Sequence, residues 1–160
     1  FEDPEVLPQS IVDLSSCHPN LVQMICQMLV MRVNARGDRM IRADDLAHVR
    51  ASDEFRDFFF EVTWGNATDL ERLISLCMIG QSDFTSAEVS QALQERGVPV
   101  SAAAIERALD GLVLFSIFKR QGERYAYAAR SFPTLVAESQ LASGFVEGLV
   151  ARLQAEGMPS

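Results

Sequence analysis

The chain has 160 residues, of which 48% are hydrophobic and 22% charged, enough to bury a core without disulfides or bound metal. Its formal net charge of −8 disfavours a surface built mainly to grip phosphates. Residues 1–65 carry 11 acids and 6 bases, 66–132 carry 8 and 7, and 133–160 carry 3 and 1, so no basic block occurs anywhere.

Cys17, Cys26 and Cys77 are odd in number, lack C-x-x-C spacing and sit among apolar residues. They are expected to be buried, reduced thiols of a cytoplasmic protein. No apolar run reaches 18 residues without polar interruption and no signal-peptide pattern opens the chain, so no membrane partner is expected. The first residue is Phe1 rather than Met, which reads as a piece of something longer.

In chain order, residues 5–15 suggest a short helix with Ile11 and Leu14 inward. Pro19 suits a first helical position, where a missing N–H costs nothing. Asn20, Gln23, Gln27 and Asn34 share one narrow stripe, so the helix from Leu21 to Val33 is otherwise apolar all round and is expected in the middle of a bundle. Gly37 is its natural left-handed stop. Residues 40–50 read as a brief extended step and a short helix, with Asp44 and Asp45 complementing its N-terminal dipole. Phe55, Phe58, Phe59 and Val62 mark one face of a helix over 53–64, a core face rather than a ligand box. Phe60 and Trp64 lie off that face.

Gly65-Asn66 places a boundary between subdomains. Thr68 to Glu71 and Thr85 to Glu88 are capping boxes opening helices 69–79 and 86–96, and Ser101 caps a third helix over 102–113. Leu114–Lys119 and Arg124–Ala128 read as strands around a turn in which Gly122 takes positive φ. Three helices and a hairpin are the order of a winged helix-turn-helix. Residues 133–155 continue as one or two helices with a break near Ala142–Gly144, and the final GMPS reads as a frayed tail. The fold class expected is therefore mainly α: a helical subdomain over 1–65, a winged helix-turn-helix with a small β-hairpin over 66–132, and a C-terminal helical extension over 133–160.

Ser16-Cys17-His18-Pro19 followed by Leu21-Val-Gln23-Met-Ile-Cys26 resembles the lid helix of STAND-type, AAA-like signal-transduction ATPases, which opens on a G-G-H-P-like turn and runs on as L-x-Q-x-x-C. Met40-Ile-Arg-Ala-Asp-Asp45-Leu resembles the family's I-T-x-E-D-V step. Tyr125-Ala-Tyr127 with Ser131-Phe132 resembles the wing strand and its exit. The family's turn glycine is Cys17 here, and the Thr of its step is Arg42. The resemblance, spanning roughly residues 7–137, implies a helical lid plus winged helix that follows a nucleotide-binding domain. It also implies that Pro19 packs against an adenine held by that domain, with His18 near its phosphates. A helix N-terminus offers the free N–H groups such a role uses.

No G-x-x-x-x-G-K-[ST] occurs, so the isolated chain is expected to hold no cofactor and to be no enzyme, ATP or ADP belonging to the parent protein. Two separate histidines and scattered thiols make no metal constellation. His48 reads as a solvated surface residue. Partners expected are the upstream nucleotide-binding domain and other protein domains. DNA is the alternative, through Arg107 on the third helix and Lys119, Arg120 and Arg124 on the hairpin, in a regulator of transcription or replication. A third possibility is an adaptor whose helices serve dimerisation. Phe60, Trp64, Phe115 and Phe118 are expected as an exposed patch for partner domains.

Overall fold

The computed structural model of the chain describes residues 6–139 and 142–155, excepting the side chains at 142 and 143. The final GMPS lies outside them. The fold is mainly α, with one small antiparallel hairpin and a helix near the C-terminus. It divides into two compact units.

The first unit comprises the described residues through Gly65 together with Ala129–Ser131. Its helices are α1 (Val6–Ser15), α2 (Pro19–Arg36), α3 (Ala43–Ala51) and α4 (Asp53–Trp64). Helix α2 packs against each of the other three, through Leu21, Ile25, Leu29 and Val33. That i, i+4 series is one narrow stripe of a single face. It meets Leu7 and Leu14 of α1, Val49 of α3, and Phe55 and Phe59 of α4, all buried. The expected all-round burial of α2 is thus corrected. Val30 and Met31 are 52% and 60% exposed and flank the outward Gln23, Gln27 and Asn34, away from the buried stripe on which α1, α3 and α4 pack. Gly37 closes α2 at φ 69°, with its N–H and that of Asp38 donating to the carbonyls of Asn34 and Val33. Ser131 Oγ donates to the carbonyl of Leu14 at 2.9 Å, fastening the returning segment to α1.

The second unit comprises Asn66–Ala128 and the described residues from Phe132 onward. It contains α5 (Asp69–Cys77), α6 (Ser86–Glu95), α7 (Ala102–Leu114), β1 (Phe118–Gln121), β2 (Arg124–Tyr127), α8 (Phe132–Glu138) and α9 (Ala142–Ala155). Both capping boxes form: Thr68 and Thr85 N–H donate to Glu71 and Glu88 at 2.6 and 2.7 Å, while Glu71 and Glu88 N–H donate to the threonine hydroxyls. The strands pair Phe118 with Tyr127 and Gln121 with Arg124, so only Gly122, at φ 65°, and Glu123 form the loop. Phe84 bridges to Tyr125 from the α5–α6 connection. Its ring joins those of Phe118, Tyr125 and Tyr127 in one cluster.

Several boundaries differ from expectation: α5 stops at Cys77 rather than 79, α6 at Glu95 rather than 96, and β1 runs on to Gln121. Residues 114–117 are not strand: α7 runs to Leu114, and Ser116, at φ 58°, turns the chain so that Ile117 N–H donates back to Leu112. A serine there does what a glycine usually does at a helix end, and hides the stop from a composition reading. Helix α8 ends at Glu138 and α9 starts at Ala142, running on through Gly144. Helix α9 lies on α5, with Leu149 and Leu153 buried, and Arg152 Nε donates to Asp69 at 2.6 Å.

Gly111 of α7 leaves room for the Glu71 side chain of α5. A Cβ at Gly111 would collide with Oε1 of Glu71, whose other oxygen serves the capping box. Alanine in a helix interior gains about 1 kcal/mol over glycine. Gly111→Ala is expected to gain nothing alone, yet to add about 1 kcal/mol in a Glu71→Ala background. Urea denaturation of the four proteins checks this.

Candidate functional site

The turn into α2 is built from two consecutive residues in the left-handed region, Ser16 at φ 50° and Cys17 at φ 62°. His18 then takes extended backbone as N-cap, its carbonyl accepting from Val22 N–H at 3.0 Å. Pro19 is the first helical residue and is exposed. No side chain caps the helix, although residues that usually do so stand just before it. Nδ1 of His18 and Oγ of Ser16 are both shut away from solvent with no hydrogen-bond partner among the described residues. The turn therefore presents an open proline face and uncapped first-turn N–H groups, with two unsatisfied polar atoms beside them. The backbone of Cys17 takes the conformation glycine favours.

The other end of α2 carries a charge network that sequence reasoning assigned only to the α3 dipole. Asp45 is 1% exposed, and Oδ1 accepts from Arg32 Nε at 2.9 Å and Arg36 Nη1 at 2.6 Å. Oδ2 accepts from Arg36 Nη2 at 3.1 Å and from the backbone N–H of Arg42 at 2.9 Å. Four donors on one carboxylate tie α2 to the start of α3. The Arg36 hydrogen bond foremost, with the Arg42 N–H and Arg32, holds the Asp45 carboxyl well below the usual carboxylate range despite burial. The signal available in the sequence was Arg32 and Arg36 at i, i+4 on the stripe side of α2, facing an acid in the next helix. Asp44 remains exposed, and its carbonyl lies 2.7 Å from Nδ1 of the exposed His48.

The hairpin bases are not gathered into a grip. Arg124 pairs with Asp83 and lies 3.7 Å from Glu88. Arg120 lies 4.0 Å from Asp110, over the Tyr125 ring at 5.6 Å, and donates to the Gly122 carbonyl. Lys119 is exposed with no carboxylate in ion-pair range among the described residues, and Arg107 is exposed on α7. A groove of about 440 Å³ beside the hairpin is lined by Thr85, Glu106, Arg120, Glu123 and Tyr125, more acidic than basic.

Two further expectations are corrected. Cys17 and Cys26 are exposed and Cys77 is half-buried, since Cys17 lies in the turn and Cys26 falls off the buried stripe of α2. Burial pushes the Cys77 thiol up, with Arg96 opposing, so that thiol stays protonated. The expected aromatic patch also fails: Trp64 and Phe118 are 5% and 1% exposed, and Phe60 and Phe115 are half-buried. The Phe60 ring lies tilted against Trp64 at 5.3 Å, and Phe118 meets Tyr127 at 5.0 Å. Among the described residues the exposed large apolar side chains are instead Val6, Val12, Val30, Met31, Met40 and Leu114. No group of described residues could hold a metal ion, and no described helix is long and apolar enough to cross a membrane.

No family model matches the chain, and no curated protein or solved structure is significantly similar to it.

Asp45→Asn leaves two arginines facing a neutral amide and is expected to cost about 2–3 kcal/mol at neutral pH. Because the folded carboxyl titrates below its unfolded value of about 3.9, its contribution is complete above that value and disappears as pH falls through the folded one. The gap between wild type and variant should hold steady above about pH 5 and close below about pH 4 in urea titrations. A second prediction concerns the turn. Cys17→Gly relieves a left-handed side chain and is expected to stabilise by about 0.5–1 kcal/mol, read as a higher urea midpoint at unchanged slope.

Proposed function

We propose that this chain is a non-catalytic regulatory segment of a STAND/AAA-like ATPase, relaying nucleotide state through protein–protein contacts. The observation that carries the reading is the α2 tip. An exposed Pro19 opens an uncapped 18-residue helix whose other turns are anchored by Leu21, Ile25, Leu29 and Val33. A nucleotide pressing on Pro19 and His18 would act on a rigid rod, because that stripe leaves little freedom to absorb the push. The first-turn N–H groups and the positive dipole end suit an anionic ligand supplied by a preceding domain. In this reading the first unit is a helical lid and the second a winged helix serving protein partners, in a cytoplasmic protein.

The alternative, a winged-helix regulator that binds DNA, draws on Lys119 and Arg107, both exposed. Against it stand the pairing of Arg124 with Asp83 and Glu88, and the hold of the Gly122 carbonyl and the Tyr125 ring on Arg120. Too few cations remain for a firm phosphate grip, given roughly one counterion released per contact.

The test uses the protein with its preceding residues restored. A P-loop is expected there, and Pro19→Ala and His18→Ala should each weaken ADP binding several-fold in calorimetry, while the 160-residue chain alone hydrolyses no ATP. A preceding segment without a P-loop, or ADP affinity indifferent to both substitutions, overturns the reading. Fluorescence anisotropy against duplex DNA at about 50 mM salt decides the alternative, since ordinary non-specific affinities of about 10⁻⁴–10⁻⁶ M would register.

A further inference from the structure

The outward face of α7 carries a pattern that the nucleotide reading does not use. At about 100° per residue, Ala103, Arg107, Asp110 and Leu114 fall within roughly 60° of one another. They lie opposite the buried Ile105, Ala108, Leu109 and Leu112. All four are exposed, and Leu114, at 80%, is the most exposed large apolar side chain among the described residues. The two charges between the apolar ends have opposite sign. Asp110 is 69% exposed, and its ion pair with Arg120, at 4.0 Å, is long and solvated.

We propose that this stripe is a self-recognition surface, on which α7 of a second copy of the chain docks antiparallel. A two-fold axis crossing the stripe midway between positions 108 and 109 sets Ala103 opposite the partner's Leu114, and Arg107 opposite the partner's Asp110. The same operation sets Leu114 against the partner's Ala103 and Asp110 against the partner's Arg107. One operation satisfies all four positions, which is the self-complementarity that an isologous interface demands. A large residue meets a small one at each end, so the helices can close to ordinary packing distance. The central pairs add little energy in solvent, but they fix orientation and register. A parallel arrangement in register would set Arg107 on Arg107 and Asp110 on Asp110.

The stripe is short, and such a contact falls below the roughly 1,200 Å² of a stable interface, so a dissociation constant on the order of 100 µM is expected. Sedimentation of the 160-residue chain from about 10 µM to about 1 mM tests this range. Wild type should pass from monomer to dimer. Arg107→Asp, which sets a carboxylate against the partner's Asp110 at both symmetry-related pairs, should weaken association at least about tenfold. The charge-exchanged Arg107→Asp/Asp110→Arg variant should recover to within about threefold of wild type, and Leu114→Glu should lose the dimer. Circular dichroism verifies that each variant keeps its helices. A wild type still monomeric at the highest concentration overturns the proposal. So does a dimer that Arg107→Asp leaves unchanged, or an exchanged variant no better than the single one.

Discussion

The buried stripe of α2 is the constraint on which the first unit rests. Leu21, Ile25, Leu29 and Val33 recur every fourth residue, and each contributes roughly 1.5–3 kcal/mol when taken out of water. Three helices share that stripe, so no one of them can move without uncovering part of it. The Asp45 network is a smaller term, yet it has direction where apolar burial has none. Its four donors come from α2 and from the α3 N-cap, and they are met only when α3 starts at one place beside the last turns of α2. Burial holds the bundle together; the carboxylate chooses one arrangement within it.

That division of labour explains what sequence alone could show. Periodicity and turn chemistry located nearly every helix, because Pro19, Gly37 and the two Thr–Glu capping boxes act through neighbouring residues. Signals failed where an unusual residue took a usual geometry. Ser116 ends α7 and Cys17 turns into α2, both at positive φ, and neither residue type announces such a turn. The apolar composition of α2 also misled. Val30, Met31 and Cys26 are as hydrophobic as the residues they flank, so composition cannot tell which face has helices packed against it.

The candidate site was legible in part, for the same reason. Pro19 at a first helical position follows from its missing N–H, and it opens α2 there. The fate of the charged residues depends on partners far away in the chain. Arg124 meets Asp83 across 41 residues, and Arg152 meets Asp69 across 83. No local pattern announces either pair. Asp45 is the sharpest case, because a first-turn aspartate is ordinarily an exposed dipole partner, and here it is the most buried acid described.

These distant pairs bear on what the surface of an acidic protein can do. With 22 acids against 14 bases, most cations near a carboxylate-rich surface are engaged within their own fold. A base so engaged must give up its acid before it can bind anything else, and that exchange offsets much of the gain from a new phosphate. Recognition by this chain is then cheapest where a ligand brings its own complement. The uncapped start of α2 asks only for an anion and a flat apolar group. The α7 stripe asks only for its own charges in reverse order. The α7 stripe would displace the Arg120–Asp110 pair, which is long and solvated at 4.0 Å, whereas the hairpin would have to release Arg124 from Asp83 and Glu88.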